Sequence, residues 1–190
     1  MQFLKNYFLG RYHNYRASYY HFRSQSPSYQ RKVVATGLLY VFNTYCAAHL
    51  FFDYVGRPSV TGGPSMLPTL AIDGDWVLED RLSLRFTELS RGDLVTAKSP
   101  LDPLRIVCKR IIGLPGDIIC VDPTGQAAAS TEHVVVPSGH VWLSGDNFSY
   151  SRDSRTYGPV PIALIQGKVR AKIKPLRGFT IYHNPVTYLD

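Results

Sequence analysis

Cysteines are few in this chain and are not placed for metal binding. The 190 residues include three of them, Cys46, Cys108 and Cys120. The number is odd, no two are spaced as Cys-x-x-Cys, and histidines and cysteines form no cluster. We therefore predict three buried thiols that behave as small apolar residues, with no metal site and no cofactor.

Acidic residues are missing from the first 52 positions. Six basic residues precede Asp53, whereas the rest of the chain carries 15 basic and 14 acidic residues. Of the formal net charge of +7, the N-terminal arm therefore carries +6 and the rest of the chain only +1. Nucleic-acid binding depends on positive charge presented by the folded part, so this distribution argues against a nucleic acid as partner.

Charged residues are also absent from the run Val33 to Phe52, in which 15 of 20 residues are apolar. A helix rising about 1.5 Å per residue would reach roughly 30 Å over this run, the thickness of a hydrocarbon core. We predict a transmembrane helix that contacts membrane lipid. Because Asn43, Thr44 and His49 interrupt the apolar residues, a buried core helix or an interfacial helix remains the alternative.

The charges on either side of the apolar run predict its orientation. Basic residues tend to stay on the side from which insertion occurs, so the residues after Asp53 would cross the membrane. The acid-free arm, rich in Arg, Ser and Tyr, has a composition compatible with mitochondrial targeting. We therefore divide the chain into an arm (1–32), a transmembrane helix (33–55) and a C-terminal domain (56–190).

A helical period of useful length is lacking after residue 56, where proline and glycine separate short apolar runs. Many short strands with turns between them predict a mainly β fold, a compact sandwich or barrel. The small-residue stretch 124–131 is predicted to be a mobile loop. The predicted strands are Trp76–Glu79, Asp93–Ala97, Arg105–Ile112, Asp117–Val121, Val134–Val136, His140–Leu143 and Gly167–Ile173.

The first unusual passage is GGPSMLPT at 62–69. Two glycines and two prolines fix an irregular backbone around Ser65, which would present its hydroxyl at the rim of a sheet. The alternative is a tight turn with a solvated serine. A serine nucleophile needs a base, but the histidines of the domain (His133, His140 and His183) lie in no pattern typical of a triad.

A neutral lysine is the other base available to a serine. On the last predicted strand, alternation places Lys168, Lys172 and Lys174 on the solvated face, where each should stay charged. Lys109 differs, because its side chain shares a strand face with apolar residues, and burial favours the neutral form of lysine. The alternative is that Lys109 reaches water from a strand end.

Four blocks of the chain occur in this order: GGPSMLPTL (62–70), GDWVLEDRLS (74–83), RIVCKRIIGLPGD (105–117) and GDNFSYSRDSRTYGPVP (145–161). Together they resemble type I signal peptidases, and the likeness spans nearly all of residues 61–174. Within that family, the HVWLSGDN and DSRTYGPVPIALIQGK strings resemble the mitochondrial inner membrane branch, in its subunit 1 type.

The resemblance implies a signal-peptidase-like β fold and a serine endopeptidase with Ser65 as nucleophile and Lys109 as general base. It implies that Ser151 orients the lysine amine. It also implies that Asp153 and Arg155 brace the strand beneath that amine.

The same block contains Asp146, which the resemblance suggests as a partner for Arg155. Alternatively, these charged residues form a purely structural ion-pair network. One position departs from the family pattern: some bacterial members carry a hydroxyl residue two places before the nucleophile that helps to hold the oxyanion. Here that place is Gly63, and Pro64 offers no N–H, which leaves mainly the backbone N–H of Ser65.

The resemblance also implies substrates, a partner and a location. The substrates would be precursor proteins whose sorting sequences are removed, and the partner a second related catalytic subunit in a heterodimer. The location would be the mitochondrial inner membrane, with the catalytic domain facing the intermembrane space. Three alternatives stay open: a bacterial-type signal peptidase of a plasma membrane, a non-catalytic membrane-tethered peptide-binding subunit, and an autoproteolytic repressor, which would need a DNA-binding module.

Overall fold

A computed structural model describes residues 18–123 and 132–184. The chain divides into two compact units, Met1–His49 and Leu50–Asp190. The predicted mobile loop at 124–131 and the first 17 residues of the predicted arm lie outside the described residues.

One long helix, α1, runs from Pro27 to Tyr54. Ser26 precedes it and accepts a hydrogen bond from the Tyr29 N–H at 3.4 Å, and proline suits the first helical position. None of its 28 residues is buried by the protein, and its most apolar 18-residue window has a mean hydropathy of 1.3. By length and composition α1 can span a membrane, and it begins earlier than the predicted residue 33.

The remaining described residues confirm the mainly β prediction, because every predicted strand is present. One antiparallel sheet has the order β1-β2-β9-β3-β4-β7-β8, with β10 added beside β9, while β5 and β6 form a separate hairpin. Within the described residues the sheet is an open half-barrel ending at β1 and β8. The strands are β1 Gly56–Gly62, β2 Asp73–Asp80, β3 Leu94–Lys98, β4 Ile106–Gly113, β5 Ile118–Cys120, β6 His133–Val135, β7 His140–Ser144, β8 Val160–Pro161, β9 Ile165–Lys174 and β10 Thr180–Ile181.

A buried apolar cluster lies behind the segment that contains Ser65. Burial of a side chain of this size contributes about 1.5–3 kcal/mol, so the cluster anchors that segment to β2, β3 and β9. Tyr182, just after β10, packs against it from outside. The cluster consists of Met66, Leu70, Val77, Leu94 and Val169.

The prediction that Lys168 lies on a solvated face is wrong. Lys168 is buried, and its ammonium group pairs with Asp93 Oδ2 at 2.9 Å and donates to Glu88 O at 2.7 Å. Alternation fails because β9 pairs irregularly with both β2 and β3, so that Gly167, Lys168 and Val169 are buried in succession. Lys172, predicted on the same solvated face, is half-buried, and only Lys174 is exposed as predicted.

The predicted burial of the three thiols is only partly right. Cys46, Cys108 and Cys120 form no disulfide, and each is half-buried rather than buried.

Candidate active site

Ser65 lies in a single turn of 3-10 helix, Pro64–Met66, directly after β1. Gly63 precedes the turn with φ 102°, a conformation that favours glycine because it has no Cβ. Pro64 suits the start of the turn, and Met66 is buried in the cluster behind it. The local sequence therefore fixes the backbone of the half-buried serine from both sides.

Lys109 lies in β4 and is 3% exposed, beside the fully buried Ile111 on the same strand face. Burial lowers the pKa of Lys109 from its ordinary value, while the negative charge of Asp153 acts in the opposite direction. A lysine with a lowered pKa can accept a proton nearer to neutral pH than a solvated lysine can.

A hydrogen bond connects Lys109 to the segment after β7. Lys109 Nζ donates to Ser151 Oγ at 3.1 Å, the contact that the resemblance implied. The Ser151 hydroxyl in turn hydrogen-bonds to the Asp153 carboxylate. Ser151 therefore accepts from the amine and donates to a carboxylate, which orients the lysine side chain.

Asp153 is fully buried and precedes a four-residue helix, α2 (Ser154–Tyr157). It accepts from Arg155 Nε at 2.9 Å and Nη2 at 3.0 Å, and from Gly145 N at 2.9 Å. Although burial acts to raise it, hydrogen bonds from Arg155, Gly145 and Ser151 leave the pKa of Asp153 below its usual value. The carboxylate therefore stays ionised beneath the lysine.

The expected pairing of Asp146 with Arg155 is wrong. Asp146 accepts from Arg110 Nε at 2.8 Å and Nη2 at 2.7 Å, and from the Thr69 hydroxyl. Arg155 instead binds Asp153, two residues before it. In the register of β4 against β7, Arg110 lies opposite Ser144, which places its side chain beside Asp146. Asp146 thus links β4 to the end of the serine segment.

Two residues of the site were not identified by sequence reasoning. A Cβ on Gly145 would lie 2.3 Å from Ser151 Oγ and 2.5 Å from Ser65 O, so only glycine permits this approach. Asn147 donates from its backbone N–H to Ser65 O at 3.0 Å and from Nδ2 to Pro64 O at 3.1 Å. The glycine and asparagine of the GDN string were the available signal.

Ser65 and Lys109 line the same cleft, which has a volume of about 950 Å³. Its walls include β1 and the first half of β4. Among the described strands, β1 pairs with β2 alone, and β4 pairs with β7 only from Arg110 onwards. Each wall therefore offers unpaired backbone groups to which an extended peptide could bind.

Cys108 also lines the cleft and could in principle compete as the nucleophile. Burial raises the pKa of its thiol to about 12. A cysteine reacts as its thiolate, so this thiol is unreactive at neutral pH. Of these two residues, Ser65 is therefore the better candidate for the nucleophile.

Comparison with known proteins identifies the family of the chain. The family model described as signal peptidase, peptidase S26, matches residues 34–128 and 123–174. Mitochondrial inner membrane protease subunit 1 is 46% identical in Xenopus tropicalis (75% of this chain, 84% of the relative) and 49% identical in Schizosaccharomyces pombe (67% and 79%). Subunit 2 of Danio rerio is 38% identical, covering 64% of each chain. The resemblance is thus confirmed, and the chain belongs to the signal peptidase family, peptidase S26.

Proposed function

We propose that this chain is a membrane-anchored serine endopeptidase of the mitochondrial inner membrane, which removes sorting sequences from proteins delivered to the intermembrane space. The observation that carries the proposal is a buried lysine, Lys109, hydrogen-bonded to Ser151 in the cleft that Ser65 lines. The names of the similar proteins support the location and a protease activity, and the family description, signal peptidase, supports the removal of a signal segment.

Ser65 and Lys109 would act as nucleophile and general base. Neutral Lys109 takes the Ser65 proton while Ser65 Oγ attacks the scissile carbonyl. The leaving amine takes that proton, and an acyl-enzyme remains on Ser65 Oγ. Lys109, neutral again, then removes a proton from water while the water oxygen attacks the ester, and the ammonium returns that proton to Ser65 Oγ as the acyl group leaves.

The neighbouring residues would support this exchange by holding the amine in place. Ser151 accepts from Lys109 Nζ, and Asp153 and Arg155 fix the segment that carries Ser151. Asp146 connects Arg110 of β4 to Thr69, four residues after the nucleophile. Each role is a positioning role, because none of these four groups accepts the serine proton in the scheme.

The substrate would bind as an extended segment between β1 and the first half of β4. The unpaired edges of these strands supply backbone hydrogen bonds, and the side chains between them form the pockets. The membrane-associated precursor would present its cleavage site to the serine in this orientation.

We also propose a heterodimer with a second, related catalytic subunit. The support is that similar proteins carry the names subunit 1 and subunit 2 of one protease. The plasma-membrane alternative is not favoured, since the similar proteins named above are mitochondrial. A non-catalytic peptide-binding subunit would gain nothing from a buried lysine beside a serine, because burial of that group is costly.

The test is cleavage of a candidate precursor by the detergent-solubilised enzyme, with sequencing of the new N-terminus. Ser65→Ala should abolish processing because it removes the proposed nucleophile. Lys109→Arg should also abolish it, because arginine keeps the charge but cannot accept a proton. Lys98→Arg, an exchange at an exposed lysine of β3, is the matched control and should remain active. An active Lys109→Arg enzyme would rule out the lysine as base.

A further inference from the structure

Asn147 holds the backbone on both sides of the serine. It occupies the position before a 3-10 turn, Phe148–Tyr150, where an asparagine side chain commonly caps the turn, but here it makes no such bond. Its Nδ2 donates to Pro64 O at 3.1 Å instead, and its backbone N–H donates to Ser65 O at 3.0 Å. A carbonyl can only accept, so the NH₂ group of the amide must face Pro64.

The bond to Pro64 O determines where the Ser65 N–H points. The Pro64 C=O and the Ser65 N–H belong to one planar peptide unit and point in opposite directions. Holding the carbonyl therefore fixes the direction of the N–H. Leu67 N also donates to Pro64 O, at 3.2 Å. Two hydrogen bonds to one carbonyl polarise the peptide and strengthen its N–H as a donor.

The Ser65 N–H is available for a ligand. It lies at the start of a helical turn, where N–H groups have no partner within the turn. Among residues 18–123 and 132–184, no hydrogen-bond acceptor is in place for it. On the preceding side neither residue has a side-chain hydroxyl, Pro64 has no N–H, and the Gly63 N–H already donates to Ile72 O at 2.6 Å.

We propose that Asn147 is a positioning residue that aims the Ser65 N–H at the oxyanion formed during attack on the scissile carbonyl. The inference rests on the proposed role of Ser65 as nucleophile. Asn147 does not touch the substrate; it acts through the Pro64–Ser65 peptide. This chain lacks a hydroxyl donor at position 63. Stabilisation of the oxyanion therefore depends more on the direction of the Ser65 N–H than it would in a chain that has such a donor.

The test compares Asn147→Leu and Asn147→Ala with the wild-type enzyme in the precursor assay. Loss of an oxyanion donor costs about 10²–10³-fold in kcat, so misaiming one should cost roughly 10–100-fold, with KM changed less than about twofold. The acid limb of the pH profile should not move, because the bond between Lys109 and Ser151 is intact. The control is Asn184→Ala, which removes a hydrogen bond from a side-chain amide to the backbone carbonyl of Arg91, outside the cleft. This variant should keep the wild-type kcat.

Three results would overturn the proposal: wild-type kcat in both Asn147 variants, a kcat loss accompanied by a shifted acid limb, or unfolding of both variants. The shifted limb would mean that Asn147 acts through Lys109, and unfolding would make its role structural. Ser65→Ala is assayed in parallel. If Ser65→Ala cleaves, the proposed function itself fails, whereas an inactive Ser65→Ala beside fully active Asn147 variants refutes only the positioning role.

Discussion

The protonation state of Lys109 sets the pH at which the proposed reaction runs. Burial lowers the pKa of this amine, and only the neutral amine can accept the serine proton. Activity should therefore be present above the lowered pKa and be lost as the pH falls through it. An ordinary, solvated lysine would place this limb much further towards alkaline pH.

Arg105 offers a test of that electrostatic balance. Its positive charge helps to lower the pKa of Lys109, and its exposed side chain lines the cleft. In Arg105→Gln the pKa of Lys109 should rise, which moves the acid limb of kcat/KM to higher pH. Arg177→Gln, an exchange at an exposed arginine in the turn after β9, should leave the limb in place. An unmoved limb in Arg105→Gln, or one moved to lower pH, would contradict this account.

At this scale, alternation along a strand predicted the burial of Lys109, because its neighbour Ile111 faces the same core. Partner choice could not be predicted in the same way. Asp146 meets an arginine 36 positions away, and the Asn147 amide meets a carbonyl 83 positions away. Such contacts depend on how the strands assemble, which local spacing does not encode.

Among the elements, β9 is joined to the start of β3 by the largely buried pair of Lys168 and Asp93, the residue before β3, whose side chains are 7% and 12% exposed. Lys168→Met would leave the carboxylate without its cation. Removal of one partner from a buried pair typically costs about 3–5 kcal/mol, so the free energy of unfolding should fall by roughly that amount.

Chemical or thermal unfolding of the detergent-solubilised chain would measure the difference. Lys174→Met, at an exposed lysine on the same strand, is the control and should change stability by less than about 1 kcal/mol. Equal effects of the two substitutions would contradict the assignment of Lys168 to the core.

The strands that sequence reasoning missed are those with the weakest local signals. β1 contains Pro58 and begins and ends with glycine, a composition that disfavours an interior strand, but proline is tolerated here because β1 lies at the sheet edge. β8 and β10 have two residues each, too few to show alternation. The error at Lys168 has another cause: bulges interrupt the period of two along β9.

For the whole molecule, the prediction concerns α1, which by length and composition can anchor the chain in a membrane. A lysine near the centre of a membrane span makes the free energy of insertion less favourable by about 2.5–3.5 kcal/mol. The double variant Leu39→Lys, Phe42→Lys should therefore make the free energy of insertion of α1 less favourable by roughly 5–7 kcal/mol. The wild-type chain should stay in the pellet after alkaline carbonate extraction, and the double variant should appear in the supernatant. The same pair changed to alanine should stay in the pellet, and release of that control would contradict a helix-based anchor.

The junction between α1 and β1 limits where the enzyme can cut. The helix ends at Tyr54, and the serine is the eleventh residue after it. Each residue of extended chain spans at most about 3.3–3.6 Å, so the distance from Tyr54 to Ser65 cannot exceed roughly 40 Å. If Tyr54 marks the surface of the bilayer and Ser65 is the nucleophile as proposed, peptide bonds further from the surface than that cannot be cleaved, however well their sequences fit the cleft. The short junction would then limit cleavage to the part of a precursor that lies close to the lipid.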